Sequence, residues 1–80
     1  MSLNERILKE YIKTNTNIGS VKITPDTSLF ESGLLDSIQL LGLIEYIESE
    51  TDIQIKNSDI TIENIDSIEK ILNFVSKSIN

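Results

Sequence analysis

Two stretches of this chain place a serine hydroxyl directly behind an aspartate: Asp36-Ser37-Ile38 and Asp66-Ser67-Ile68. A serine oxygen becomes a nucleophile when a neighbouring base takes its proton, and near neutral pH that base is usually histidine. The chain has no histidine, so a serine–histidine–carboxylate triad is excluded. It has no cysteine either, which removes a thiol nucleophile, a disulfide and a zinc–thiolate site. Paired carboxylates remain, but a short helical chain offers no deep cleft to raise their pKa. Chemistry at these serines therefore needs a borrowed reactive group, and no autonomous catalysis is expected.

The 80 residues allow one domain, 1–80, with a single compact core. A hydrophobic share of 39% and a charged share of 25% are those of a globular protein and not of a disordered tail. Three glycines and one proline leave little of the chain obliged to turn, which favours helices. The net charge of −6 argues against nucleic acid, whose phosphates select clustered lysine and arginine. It suits attraction toward basic patches on other proteins. Met1-Ser2-Leu3-Asn4-Glu5 lacks the apolar core of a signal peptide, and no run approaches membrane-spanning length. The expectation is a cytoplasmic monomer without membrane insertion.

The elements that must position the serines follow from periodicity. Ser2 and Glu5 have capping-box spacing, and Leu3, Ile7, Leu8, Tyr11 and Ile12 share a face, so a helix is expected over about Leu3 to Thr14. Asn15, Asn17 and Gly19 end it. Val21-Lys22-Ile23-Thr24 alternates like a strand, but a ribbon with Ile53-Gln54-Ile55-Lys56 would be marginal. A long loop pinned by Val21, Ile23, Leu29 and Phe30 is preferred, with a turn at Pro25-Asp26-Thr27-Ser28. The next helix starts at Asp36, an N-cap with Gln39 placed to reach back and Leu35 and Leu40 spaced as a hydrophobic staple. Its residues Ile38 to Ile47 are apolar over most of the girth, with Glu45, Glu48 and Glu50 on the solvated side and Thr51-Asp52 at the end. Gly42 inside it costs about 1 kcal/mol relative to alanine, which a close helix crossing would justify. Thr61 to Ile65 makes a short turn with Ile62 and Ile65 inward. Asp66 then caps a last helix with Ile68, Ile71, Leu72, Val75 and Ile79 on one face.

The stretch from Asp26 to Leu40, with Gly33, Asp36, Ser37 and Ile38 at its centre, resembles the attachment region of acyl carrier and peptidyl carrier proteins. The resemblance extends over nearly the whole chain, and Ile53-Gln54-Ile55 falls where carriers place an Ile-x-Ile or Val-x-Ile. It implies an all-α four-helix bundle with a long loop between helices one and two and a short third helix. It also implies that a phosphopantetheinyl transferase joins a 4'-phosphopantetheine arm from coenzyme A to Ser37. Asp36 would cap the helix and help the transferase hold magnesium. A helix N-terminus tolerates the phosphodiester, because its free amides and positive dipole end face the charge. Asp66-Ser67 lacks the glycine approach and the long loop, so Ser67 is assigned to a plain helix start.

By the same resemblance the chain is a non-catalytic carrier of a thioester-linked acyl or aminoacyl group. Its partners would be an activating ligase and a downstream acyltransferase or synthase. Gly33, Leu35, Ile38, Glu45, Glu48 and Ile62 make up the expected partner surface. Fatty-acid carriers place Asp or Glu soon after the serine, whereas this chain has Gln39 and Gly42. It is more similar to stand-alone acyl or aminoacyl carriers. A cofactor-free helical interaction module is the alternative, and the attachment site does not distinguish fatty acyl, polyketide, aminoacyl and D-alanyl cargo.

Overall fold

The computed structural model describes residues 3–16 and 22–79. Four helices follow one another: α1 (Glu5–Asn15), α2 (Ser37–Thr51), α3 (Ile62–Ile65) and α4 (Ile68–Ile79). A 3₁₀ turn, Asn57–Asp59, which the sequence reading did not anticipate, lies between α2 and α3. Among the described residues no strand forms, and Ile53 to Lys56 is irregular. The expected all-α bundle, with its long first connection and short third helix, is therefore the fold.

α1 starts two residues later than expected. Asn4 is its cap, with the side-chain oxygen accepting from the Ile7 amide at 2.9 Å. The proposed Ser2 end of the capping box lies outside the described residues, as do the terminators Asn17 and Gly19 and the pin Val21. Leu8 and Ile12 are wholly buried, and Leu3 packs on the core from just before the helix. At the other end Thr16 leaves in an extended conformation, and its hydroxyl donates to the Ile12 carbonyl.

α4 supplies the floor of the core through Ile68, Ile71 and Val75, and packs on both α3 and α1. Leu72 is half-buried; the side chain of Ile79 lies outside the described residues. In α3, Ile65 turns inward, but Ile62 does not and remains 46% exposed. The reason is length. A four-residue helix makes one turn, and Ile62 opens it while Ile65 closes it against α4.

α1 and α2 meet at a ring stack of Tyr11 on Tyr46, with centroids 4.3 Å apart and planes 19° from parallel. Both are edge-packing tyrosines, as their positions suggested. Burial, then Glu45, raises the pKa of Tyr11; burial, followed by Glu50, Glu10 and Tyr11, raises that of Tyr46. Gly42 now has a reason. A Cβ there would lie 3.0 Å from the Tyr11 hydroxyl oxygen. Tyr11 is held by the stack, so the helix crossing needs the missing side chain.

Gly42→Ala should therefore gain nothing in the wild type, because the contact cancels the propensity gain of about 1 kcal/mol. In a Tyr11→Phe background the same substitution should stabilise by about that amount. Urea unfolding of the four variants measures the difference, and equal stabilisation in both backgrounds would refute the contact.

Candidate functional site

The approach to α2 is built from hydrogen bonds to a segment far away in sequence. A turn at Pro25 is tied by Thr27 and Thr24: the Thr24 amide donates to the Thr27 hydroxyl at 2.8 Å, and the Thr27 amide to the Thr24 carbonyl at 3.1 Å. The Glu69 amide of α4 donates to the Pro25 carbonyl at 2.9 Å. Leu29 is fully buried, and its amide donates to the Asp66 carbonyl at 2.7 Å. The Asp66 carboxylate then accepts from the Ser28 hydroxyl (2.7 Å) and the amides of Phe30 (2.7 Å) and Glu31 (3.1 Å).

Asp66 was expected to cap the last helix. It does not. Ser67 takes that position, its hydroxyl oxygen accepting from the Lys70 amide at 3.1 Å, while Asp66 closes α3. The loop donors claim the carboxylate, so the cap passes one residue along. Burial by itself would raise the Asp66 pKa. The Ser28 hydroxyl, the amides of Phe30 and Glu31, and Lys70 outweigh it and hold the carboxyl below its ordinary value.

The loop closes on Gly33, whose amide donates to the Phe30 carbonyl at 3.0 Å and whose φ is +84°. No atom would crowd a Cβ there, so the left-handed backbone alone selects glycine. The Leu35 amide donates to the Leu29 carbonyl at 2.8 Å, and Leu35 is 5% exposed. Its expected place on the partner surface is thus corrected: the loop folds its side chain into the core. At Asp36 the full capping box forms, with Gln39 N donating to Asp36 Oδ1 at 2.8 Å and Asp36 N to Gln39 Oε1 at 2.9 Å.

Ser37 is the first residue of α2 and is exposed. Among the described residues, the amides of Ser37 and Ile38 have no hydrogen-bond partner. This setting fits a phosphodiester, which needs an accessible oxygen, free donors and no competing acid in the first turn. Ser67, the second candidate, is 5% exposed and occupied as a cap. The two Asp-Ser pairs, alike in sequence, sit one residue apart in helix register.

Ile38 is 79% exposed and Leu41 is 60% exposed, whereas Leu43, Ile44 and Ile47 are buried. The exposure of Ile38 matches its expected place on the partner surface, whereas the apolar run also leaves Leu41 in solvent. At 100° per residue, Ser37, Ile38, Leu41 and Glu45 share one solvent-facing arc. Leu41 was missed, although its spacing of four from Ser37 signals the face. Glu48 is half-buried and accepts from the Ile55 amide at 2.8 Å, so it staples the segment after α2 and is not part of a free acidic edge. Glu50 is also half-buried.

Comparisons with known proteins agree with this fold. The family described as phosphopantetheine attachment site matches residues 6–75. A D-alanyl carrier protein of Staphylococcus saprophyticus is 38% identical over 53 residues, covering 66% of this chain and 63% of that protein. An acyl carrier protein of Aster yellows witches'-broom phytoplasma is 32% identical over 71 residues, covering 89% and 91%. A chain from the crystal structure of Bradyrhizobium japonicum glycine:[carrier protein] ligase complexed with glycylated carrier protein superposes with a TM-score of 0.70. It is 31% identical, over 86% of this chain and 93% of that one. No helix among the described residues is long and apolar enough to cross a membrane.

The Asp66 geometry makes stability depend on acid. A folded-state pKa below the unfolded value gives stabilisation that is complete above the unfolded value and is lost as pH falls through the folded one. Wild-type stability should drop as pH falls below about 4. Asp66→Asn should cost about 2 kcal/mol at pH 7 and flatten that dependence. Denaturant unfolding from pH 7 to pH 2 measures both, and parallel profiles would show that Asp66 is not the responsible group.

Proposed function

The chain belongs to the phosphopantetheine attachment site family, and from that premise we propose that Ser37 anchors the arm and that the cargo is an amino acid. The observation that carries the first part is the contrast between the serines. Ser37 is exposed at the start of α2, whereas Ser67 is buried and engaged. A transferase must reach the oxygen it modifies, and only the first hydroxyl is open to it. Asp36 has one carboxylate oxygen engaged in the capping box, and its other oxygen would help the transferase hold magnesium.

When bound, 4'-phosphopantetheine supplies a thiol to which an acyl or aminoacyl group attaches as a thioester. The chain's own residues hold and present it. The unpaired amides of Ser37 and Ile38 would meet the charge of a tether on Ser37, and Gly33 lets the loop turn ahead of the helix. Ile38 and Leu41 offer apolar contact to partner enzymes, with Glu45 at the far end of the same face. The chain itself has no histidine or cysteine and acts as a non-catalytic carrier.

Likeness to a D-alanyl carrier protein and to a chain crystallised with a glycine ligase supports aminoacyl cargo. So do Gln39 and Gly42, which leave the start of α2 less acidic than in fatty-acid carriers. An amino-acid-activating ligase is then the loading partner, followed by a transferase that consumes the thioester.

Incubation with coenzyme A and a broad-specificity phosphopantetheinyl transferase should add one arm by intact mass. Ser37→Ala should abolish the addition and Ser67→Ala should preserve it. The reverse pattern would overturn the assignment, and no addition to the wild type would favour a cofactor-free interaction module. With the arm in place, a ligase encoded nearby should load an amino acid in preference to a fatty acid.

A further inference from the structure

The loop before α2 is not held by α2. Its donors converge on Asp66, 35–38 residues downstream, at the junction of α3 and α4. The Leu29 amide takes the Asp66 carbonyl; the Phe30 and Glu31 amides share carboxylate Oδ1; the Ser28 hydroxyl takes Oδ2. Ser28 passes the connection on, because its oxygen accepts from the Ser32 amide at 3.1 Å and its carbonyl from the Ser32 hydroxyl at 2.5 Å. The Gly33 amide then closes on Phe30, and the Leu35 amide on Leu29. Leu35 precedes the N-cap, so an unbroken series of bonds runs from the α3–α4 junction to the mouth of α2.

We infer that Asp66 is the positioning residue of the attachment site: its backbone and side chain hold the 28–35 loop in the form that partner enzymes meet beside Ser37. The inference rests on the assignment of the arm to Ser37. Asp66 touches neither that hydroxyl nor the arm and acts only through the loop.

The division of labour follows from where each part is anchored. The body of α2 is fixed by Leu43, Ile44 and Ile47 in the core, and its first turn by its own capping box. Those contacts do not involve Asp66. Asp66→Asn removes the negative charge and one of the two acceptor oxygens, so the bonds from the Phe30 and Glu31 amides lose their charge assistance and the Ser28 hydroxyl loses the Oδ2 to which it donates. The loop then samples other conformations while Ser37 stays at the head of an intact helix. A transferase or ligase that grips both loop and helix must reorder the loop on binding, and that cost falls on association, not on the chemical step.

The test compares Asp66→Asn, Ser28→Ala and Ile71→Val, the last a core control whose lost methylene lowers stability while leaving every hydrogen bond to the Asp66 carboxylate in place. Transferase kinetics are measured with each chain as the varied substrate, well below its unfolding temperature. Asp66→Asn should raise KM about tenfold with kcat nearly unchanged, Ser28→Ala less, and Ile71→Val not at all. Amide hydrogen exchange by NMR should accelerate at Phe30 and Glu31 in Asp66→Asn, with the amides of Leu43 to Ile47 still protected. A wild-type KM in Asp66→Asn, or a rise equal to that in Ile71→Val, would overturn the inference. If Asp66→Asn fails to fold, Ser28→Ala decides by the same two readouts. A wild-type chain that takes no arm would sink the Ser37 assignment instead, and the exchange pattern would still decide whether Asp66 holds the loop.

Discussion

A carboxylate taken out of water needs donors, and Asp66, 3% exposed, finds them in one loop. The dependence runs both ways. A segment between Pro25 and Asp36 with no regular structure has backbone amides to satisfy, and the carboxylate with its carbonyl satisfies three of them in succession. The long connection is thus an ordered piece of the molecule. Its order comes from the last third of the chain. The approach to Ser37 sits on this join, with the left-handed turn at Gly33 and the inward side chain of Leu35, while α2 itself is held by its capping box and the core.

The face that α2 leaves open is chemically mixed. Ile38 and Leu41 expose apolar surface that folding alone would bury, beside a hydroxyl at the helix mouth and a carboxylate at Glu45. Exposed large apolar side chains near a functional group mark contact with partners. The molecule carries a net charge of −6, which draws basic surfaces from a distance, and the apolar pair is the surface we propose for close contact. In a family whose reactive thiol belongs to a tethered cofactor, the protein's part is presentation, and rigidity at the tether point matters more than a pocket.

Local patterns made much of this legible. The 3.6-residue apolar periodicity located α1 and α4, because each must bury a stripe, and the cap at Asp36 with the apolar run behind it located α2. Asp36 and Gln39, three apart, specified a capping box that the structure forms in full. Gly33 sits just ahead of the cap, and its positive φ is why no other residue serves as well there. These are short-range effects, and short-range effects can be read from neighbouring letters. Gly33 and the long loop ahead of Asp36, both missing ahead of Asp66, set the two Asp-Ser pairs apart, and the structure leaves Ser37 exposed and Ser67 buried.

Sequence by itself therefore determined the helices, the cap of α2 and the serine that opens it. Tertiary structure decided which polar groups those elements could keep. Asp66 and Ser67 look like a second copy of Asp36 and Ser37, yet the cap shifts by one because distant loop amides claim the carboxylate. Leu35 goes inside, Ile62 stays outside, Glu48 turns to the Ile55 amide, and Gly42 yields to the Tyr11 hydroxyl. Each of these outcomes depends on a partner from another part of the chain, and a local pattern carries no record of which distant group will arrive beside it.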